Sequence, residues 1–309
     1  MMAGTREFTV VMADPGYSGQ VPRGPQMSVL SLNAAESLDV RKPGANYFVF
    51  TSATELEPVA RFIHKANSIH HLRALFVRAD VDCAWFLPML ERANIRTLRN
   101  TLVHTTPVVP QRVLRAWQVG AQDQLIADAT VADGRLFLRN CALESFEVAF
   151  EDVPALARLP RGERTRFSID PDGSYLHWDS GDTHDGLDMV RFVVNPEFRD
   201  AVQLRRLSFD RRLGEAVKAL RLAHDLRQTD IVGLSARQVS RIEAGGGPPR
   251  VETLRRLAHS HGMDTNSYLD ELAELLVALR SEHGRANKDI VGPTAHAPSK
   301  RKRSATAQV

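Results

Sequence analysis

The 309-residue chain predicts a multidomain α/β plus α+β plus all-α protein. An N-terminal three-layer α/β domain is followed by a small α+β module and a C-terminal helical bundle. Three observations predict this. Between Tyr47 and Leu125, β-rich apolar runs alternate with stretches of helical period, the pattern of a parallel sheet with crossover helices. From 126 to 200 the runs shorten and turn signals separate them. From Leu213 to Leu269 the period is that of short helices closed by Gly and Pro. A hydrophobic fraction of 43% supplies real cores, and the length suits two or three domains.

Residues 1–27 read as a loose leader. Pro15, Gly16, Gly19, Pro22, Gly24 and Pro25 crowd it, and no apolar core of a signal peptide is present. Met27, just before Val29-Leu30-Ser31-Leu32, offers an alternative start. The α/β domain (28–125) then takes its elements in order. Tyr47 to Thr51 is a strand, and Leu56, Val59, Ala60, Ile63 and Ala66 recur at helical spacing. Leu72 to Val77 is a strand, Cys83 to Asn94 a helix, Leu98 to His104 a strand and Val113 to Leu125 a helix. No Gly-rich phosphate loop follows any strand, so no nucleotide is expected.

In the module from 126 to 200, Asp133-Gly134 fits a tight hairpin turn between Ala132 and the run Gly134 to Arg139. Ser145 to Phe150 is a further strand. Val153 to Pro160 is a short helix bounded by prolines. Thr165 to Asp170 and Tyr175 to Trp178 are strands joined by Pro171-Asp172-Gly173-Ser174, and a polar loop follows. Taken with the Leu-His-Trp at 176–178 and the acidic loop, this pattern resembles a family of small bacterial domains of unknown function. These domains sometimes sit beside helix-turn-helix modules. The resemblance covers about 65 residues and implies a fold without an activity. Residues 201–212 form a basic connector or a helix leading onward. From 281 to 309 Gly, Pro, Ala, Ser and a Lys300 to Arg303 cluster predict a disordered basic tail.

Charge is unevenly placed although its net value is only +3. Residues 204–262 hold 12 Lys and Arg against 6 Asp and Glu, whereas residues 1–203 hold 21 against 25. A basic segment in a near-neutral chain is the footprint of a polyanion-binding module. No apolar run reaches the roughly 18–20 residues of a membrane span. Cys83 and Cys141 lack any partner motif and read as free thiols of a reducing cytosol.

The bundle, residues 213–280, carries the sharpest motif: Gly233-Leu234-Ser235-Ala236-Arg237-Gln238-Val239-Ser240-Arg241-Ile242-Glu243-Ala244-Gly245. A first helix runs from Leu213 to Asp225, with Leu213, Val217 and Leu220 on one face. A brief second helix spans Gln228 to Val232. Ser235 caps the third helix by accepting a backbone N–H bond. Leu234, Val239 and Ile242 point inward, and Arg237, Gln238 and Arg241 outward with Ser240 at the border. Gly245 to Pro249 stops this helix. A fourth helix runs from Val251 to His261 with Val251, Leu254, Leu257 and Ala258 inward. A fifth, Asp264 to Leu279, is rich enough in Leu for a core and also for a dimer seam.

This run resembles the Cro/CI phage-repressor type of helix-turn-helix, the XRE family, whose bundle is lambda-repressor-like. Leu220-Arg221, Leu226, Gln228, Gly233-Leu234-Ser235, Val239 to Glu243, Gly245, Leu254, Leu257-Ala258 and Gly262-Met263 carry the likeness over about 60 residues. The resemblance implies that the third helix enters the major groove. It makes Gln228 a phosphate contact, Arg237 and Gln238 base readers, and Ser240 and Arg241 groove or backbone contacts. Thr229, Ser235 and Arg250 complete the expected DNA-binding set. Arg221 and Glu243 are expected to form an internal ion pair. Two features depart from the family. Arg227 stands where a capping Thr is usual, and the stretch from Gln228 to Ser235 is nearly a turn short.

Other chemistry is not predicted. His177 to Asp188 packs two His and four Asp into twelve positions. Imidazole and carboxylate suit Zn or Mn, but a strand end and polar loop explain the run, the calcium-loop spacing is not met, and no metal is assigned. His64, His70 and His71 flank a helix end, where they complement the dipole. No nucleophile elbow, phosphate-loop lysine, zincin motif or paired-cysteine set is present, so no catalytic residue, cofactor or enzyme is expected. The sequence therefore reads as a dimeric, cytoplasmic (nucleoid-associated) transcriptional regulator of double-stranded DNA. A protein or small-molecule effector would act at its N-terminal domains. The alternative is an antitoxin-like or defence-associated adaptor whose DNA binding is autoregulatory.

Overall fold

The computed structural model describes residues 7–14, 16, 19, 21–79, 86–95 and 98–290. The chain falls into two compact units, Met1–Arg199 and Asp200–Val309.

The first unit is built on a five-stranded sheet of β1 (Phe8–Met12), β2 (Met27–Ser31), β3 (Tyr47–Ser52), β4 (Leu72–Arg78) and β5 (Thr101–His104). The order is β2-β1-β3-β4-β5, and every neighbouring pair is parallel. The helices are α1 (Leu32–Glu36), α2 (Leu56–Ser68), α3 (Phe86–Arg92) and α4 (Val108–Gln118). A parallel sheet covered on both sides needs apolar side chains on both, and every residue of β3 is buried. Tyr47 and Val49 pack with Val59, Phe62 and Ile63 of α2. Phe48 and Phe50 pack with Val113, Leu114 and Trp117 of α4. The three expected layers are present.

β1 corrects the reading of residues 1–27 as a loose leader. It lies between β2 and β3, and Val10 and Val11 are fully buried on opposite faces. Phe8 to Met12 carries the β-branched signal of a strand; the Pro and Gly that follow obscure it. The last helix of the layer also differs, running Val108–Gln118 rather than Val113 to Leu125. Pro110 sits in its first turn, where a missing N–H costs nothing. Gly120, at φ +70°, ends it. The start of the helix expected from Cys83 lies outside the described residues.

The middle module holds two antiparallel three-stranded sheets. One orders β6 (Ile126–Ala132), β7 (Arg135–Asn140) and β8 (Ser145–Ala149); α5 (Pro154–Ala157) follows. The other comprises β9 (Ser168–Ile169), β10 (Tyr175–Trp178) and β11 (Thr183–Gly186), with β10 central; α6 (Leu187–Val194) comes next. Phe150, Leu156, Leu176, Trp178, Leu187 and Val190 share their core. Asp133 and Gly134 make the expected hairpin turn at φ 49° and 72°. The strand expected over Thr165 to Asp170 contracts to two residues. The polar loop after Trp178 is instead a hairpin and a helix. This module is continuous with the first sheet. Trp117 Nε1 donates to the Cys141 carbonyl at 3.0 Å, and an Arg112 Nη donates to the Ala127 carbonyl at 2.7 Å. The boundary expected at residue 125 thus falls inside one unit.

The second unit takes its first helix from α7 (Pro196–Ala223), so the connector 201–212 is helical. A single 3₁₀ turn covers Gln228–Asp230. Then come α8 (Ala236–Glu243), α9 (Val251–Ser260) and α10 (Thr265–Ile290). Their core is Ala216, Val217, Leu220, Ile231, Val239, Ile242, Leu257, Ala258, Tyr268 and Leu272. Leu275, Leu276 and Leu279 pack against it. Val251, expected inward, is 61% exposed. α10 continues to Ile290, beyond the expected tail boundary at 281; residues 291–309 lie outside the described residues. Among the described residues no helix is long and apolar enough to cross a membrane.

Candidate nucleic-acid interface

Helix α8 is positioned from three sides. At its start, the Ser235 side chain accepts from the Gln238 backbone N–H at 3.3 Å. Gln238 Oε1 in turn accepts from the Ser235 N–H at 2.8 Å and from its hydroxyl at 2.9 Å. This reciprocal capping box satisfies two otherwise orphaned groups of the first turn. At its end, Gly214 lets α7 approach the backbone closely. A Cβ there would lie 2.6 Å from the carbonyl oxygens of Ile242 and Glu243. From α9, an Arg256 Nη donates to the Gly233 carbonyl at 2.6 Å. The Ser260 hydroxyl accepts from the Val232 N–H at 3.0 Å. The turn before α8 is therefore pinned.

Beneath α8 lies a buried polar cluster. Arg221 Nε and an Arg221 Nη donate to the two oxygens of Glu243 at 2.5 and 3.1 Å. Both side chains are under a tenth exposed. Gln228 Nε2 donates to the same carboxylate at 2.7 Å, and a second Arg221 Nη caps the Leu226 carbonyl at 2.6 Å. Burial pushes the Glu243 carboxyl up. The hydrogen bonds from Arg221 and Gln228 outweigh this and hold it below the usual range. The expected Arg221–Glu243 pair is thus present, and it fastens the first, second and third helices at one carboxylate.

The opposite face of α8 is exposed. Arg237, Ser240 and Arg241 share it at spacings of three and four, with Gln238 beside them. Val239, Ile242 and Glu243 take the buried side. Thr229 and Arg250 are exposed too, Arg250 as the residue before the first turn of α9. The eight expected DNA-binding residues therefore all lie between Gln228 and Arg250, but two are differently engaged. Gln228 is half-buried on Glu243, which leaves one amide hydrogen and its backbone N–H for a phosphate. Gln238 has its side-chain oxygen occupied by the cap. A two-bond grip on adenine needs both ends of the amide, so that grip requires the cap to open. The sequence reading missed Arg256 and Ser260 as the groups that hold the turn. No motif marks them, because their partners are backbone atoms.

The helix-turn-helix family matches residues 217–266, the span that contains the cap, the clamp and all eight residues. A Cro/CI-type helix-turn-helix is thereby located in the second unit, and it suggests a DNA-binding regulator. The match lies wholly outside the middle module. No curated protein and no solved structure matches the chain.

Proposed function

We propose that the chain is a sequence-specific DNA-binding transcriptional regulator that acts as a dimer and reads the major groove with α8. One observation carries this. The short helix has Arg237, Ser240 and Arg241 on an exposed edge, and its other edge is fastened by the Arg221–Glu243–Gln228 cluster. A probe helix has to be rigid on its protein side and rich in donors on the other. Arg237 reads a guanine edge, worth about 1–3 kcal/mol of discrimination. Gln238 reads through its amide NH₂. Arg241, Ser240, Thr229, Ser235, Arg250 and Gln228 fix the register on phosphates and groove walls. The first unit serves as the effector or assembly region and has no enzymatic role, and the protein works in the cytoplasm on nucleoid DNA.

The test is selection of bound duplexes from a random pool, followed by gel-shift titration of the selected site. Wild type is expected to enrich one sequence. The Arg237→Ala/Gln238→Ala variant should bind selected and scrambled duplexes alike. Arg250→Ala should weaken all duplexes equally and lower the salt slope by about one unit. Equal preference in wild type and the double variant would sink the base-reading role.

A further inference from the structure

We propose a metal site in the first unit: His177, Asp182 and His184 bind one divalent transition-metal ion of the Zn²⁺ class at the surface of the β10-β11 hairpin. The sequence placed two His and four Asp in this run without fixing which of them converge. The pairing of the strands turns that run into a donor set. In the antiparallel register His177 lies directly opposite His184, and Trp178 opposite Thr183. Side chains alternate along a strand. Trp178 is fully buried, so His177 and its cross-strand partner project from the other face. Their imidazoles are 4.3 Å apart and nearly parallel, at 13°.

The turn supplies the third donor. Gly181 and Asp182 both adopt left-handed backbone, at φ 82° and 46°, which folds the Asp182 carboxylate back over the pair. Asp182 Oδ1 lies 3.6 Å from His184 Nδ1 and 3.7 Å from His177 Nε2. The three donor atoms fall within 4.8 Å of one another. Bonds of about 2.0–2.1 Å to a tetrahedral ion place its ligands roughly 3.3 Å apart. The carboxylate is therefore within a few tenths of an ångström of a binding position. The rings must splay from their stack so that both lone pairs converge. The His177 and His184 side chains are 29% and 44% exposed, and Tyr175 packs edge-on against His184 at 5.0 Å, so the splaying takes place on their solvent side. The remaining nitrogen of His177, Nδ1, lies 3.6 Å from Asp179. That is the place of an outer carboxylate that orients a metal-bound imidazole.

Two imidazoles and one carboxylate favour Zn²⁺, Cu²⁺ or Ni²⁺ over Mg²⁺ or Ca²⁺, which take oxygen ligands. Three protein donors leave one position for water.

The test is calorimetric titration of Zn²⁺ into the full chain and into its His177→Ala/His184→Ala variant. Wild type is expected to bind one equivalent more than the variant. Asp182→Asn should weaken that equivalent about tenfold or more, and Mg²⁺ should give no such step. Unchanged tryptophan emission would show that the variant keeps the fold under the hairpin. Should the variant misfold, nuclear magnetic resonance of the wild-type chain decides. Substoichiometric Cu²⁺ is expected to broaden the signals of Tyr175 to Gly186 first. Equal Zn²⁺ stoichiometry in wild type and a folded variant, or hairpin signals that stay sharp with Cu²⁺, would overturn the site.

Discussion

Glu243 accepts hydrogen bonds from Arg221 and Gln228 while its side chain is only 4% exposed. Neutralising it leaves the Arg221 guanidinium buried without a counter-charge. Breaking such a pair from one side costs about 3–5 kcal/mol. Glu243→Gln is therefore expected to reduce amide-exchange protection across residues 213–272 of the full chain by about a hundredfold or more. His261 gives the same unit a pH dependence. Its Nδ1 bonds the Leu257 carbonyl at 2.7 Å, and burial, with His224 and Arg221 nearby, lowers its pKa despite the Leu257 bond and Glu271. Above the ordinary value of 6.5 both folded and unfolded chains hold it neutral. Below 6.5 the unfolded chain gains a proton that the folded one resists. Protection of α9 should hold from pH 8 to 7 and fall as the pH drops below about 6.5. At this scale the Arg221–Glu243 pair was readable through the helix-turn-helix resemblance and not through local spacing, because the two residues lie 22 positions apart on different helices. The resemblance gave Gln228 a phosphate and not its bond to Glu243, because a neutral amide gives no sign of whether it faces solvent or a buried carboxylate.

At the scale of elements, α8 depends on the closeness of α7. Alanine is favoured over glycine in a helix by about 1 kcal/mol. At Gly214 that preference loses, since the added carbon would meet two carbonyl oxygens at 2.6 Å and the Gly245 nitrogen at 2.8 Å. These are backbone atoms and cannot rotate away. Gly214→Ala is expected to destabilise the unit by about 1–3 kcal/mol and to lower affinity for all duplexes equally, read by amide exchange and gel shift. A stability gain would show that the two helices are not in contact as described. Elements with strong periodicity, such as α2, α8 and α9, were legible from sequence. β11 was not. Thr183 to Gly186 has no apolar alternation, and its strand character comes from backbone pairing with β10. α6 was hidden for a related reason: it follows that polar strand without a capping side chain.

For the whole molecule, the order β2-β1-β3-β4-β5 gives the first strand two neighbours. Losing it leaves two facing strand edges unpaired and removes side chains from both cores. A chain begun at Met27 is expected to lose the native first unit, with red-shifted tryptophan emission. All three tryptophans, Trp85, Trp117 and Trp178, belong to that unit, so emission reports on it alone. Unchanged emission would mean that β1 is dispensable. The division into α/β, antiparallel and helical regions was visible in the sequence because each has its own hydrophobic period. The joining of the first two was not. It rests on Arg112 and Trp117 donating to backbone carbonyls, and composition carries no trace of such bonds.

On the proposed reading of DNA by α8, Gln238 would tie recognition to the capping of its own helix. Respecifying the protein for a new operator by changing this position meets a restriction, because the replacement must also close the box with Ser235. Glutamate alone shares that ability, and on DNA it would favour the amino edge of cytosine while repelling the phosphates. On that reading the vocabulary open to drift at this site would be narrow, and divergence in target choice would be steered toward the uncapped side chains of Arg237, Ser240 and Arg241.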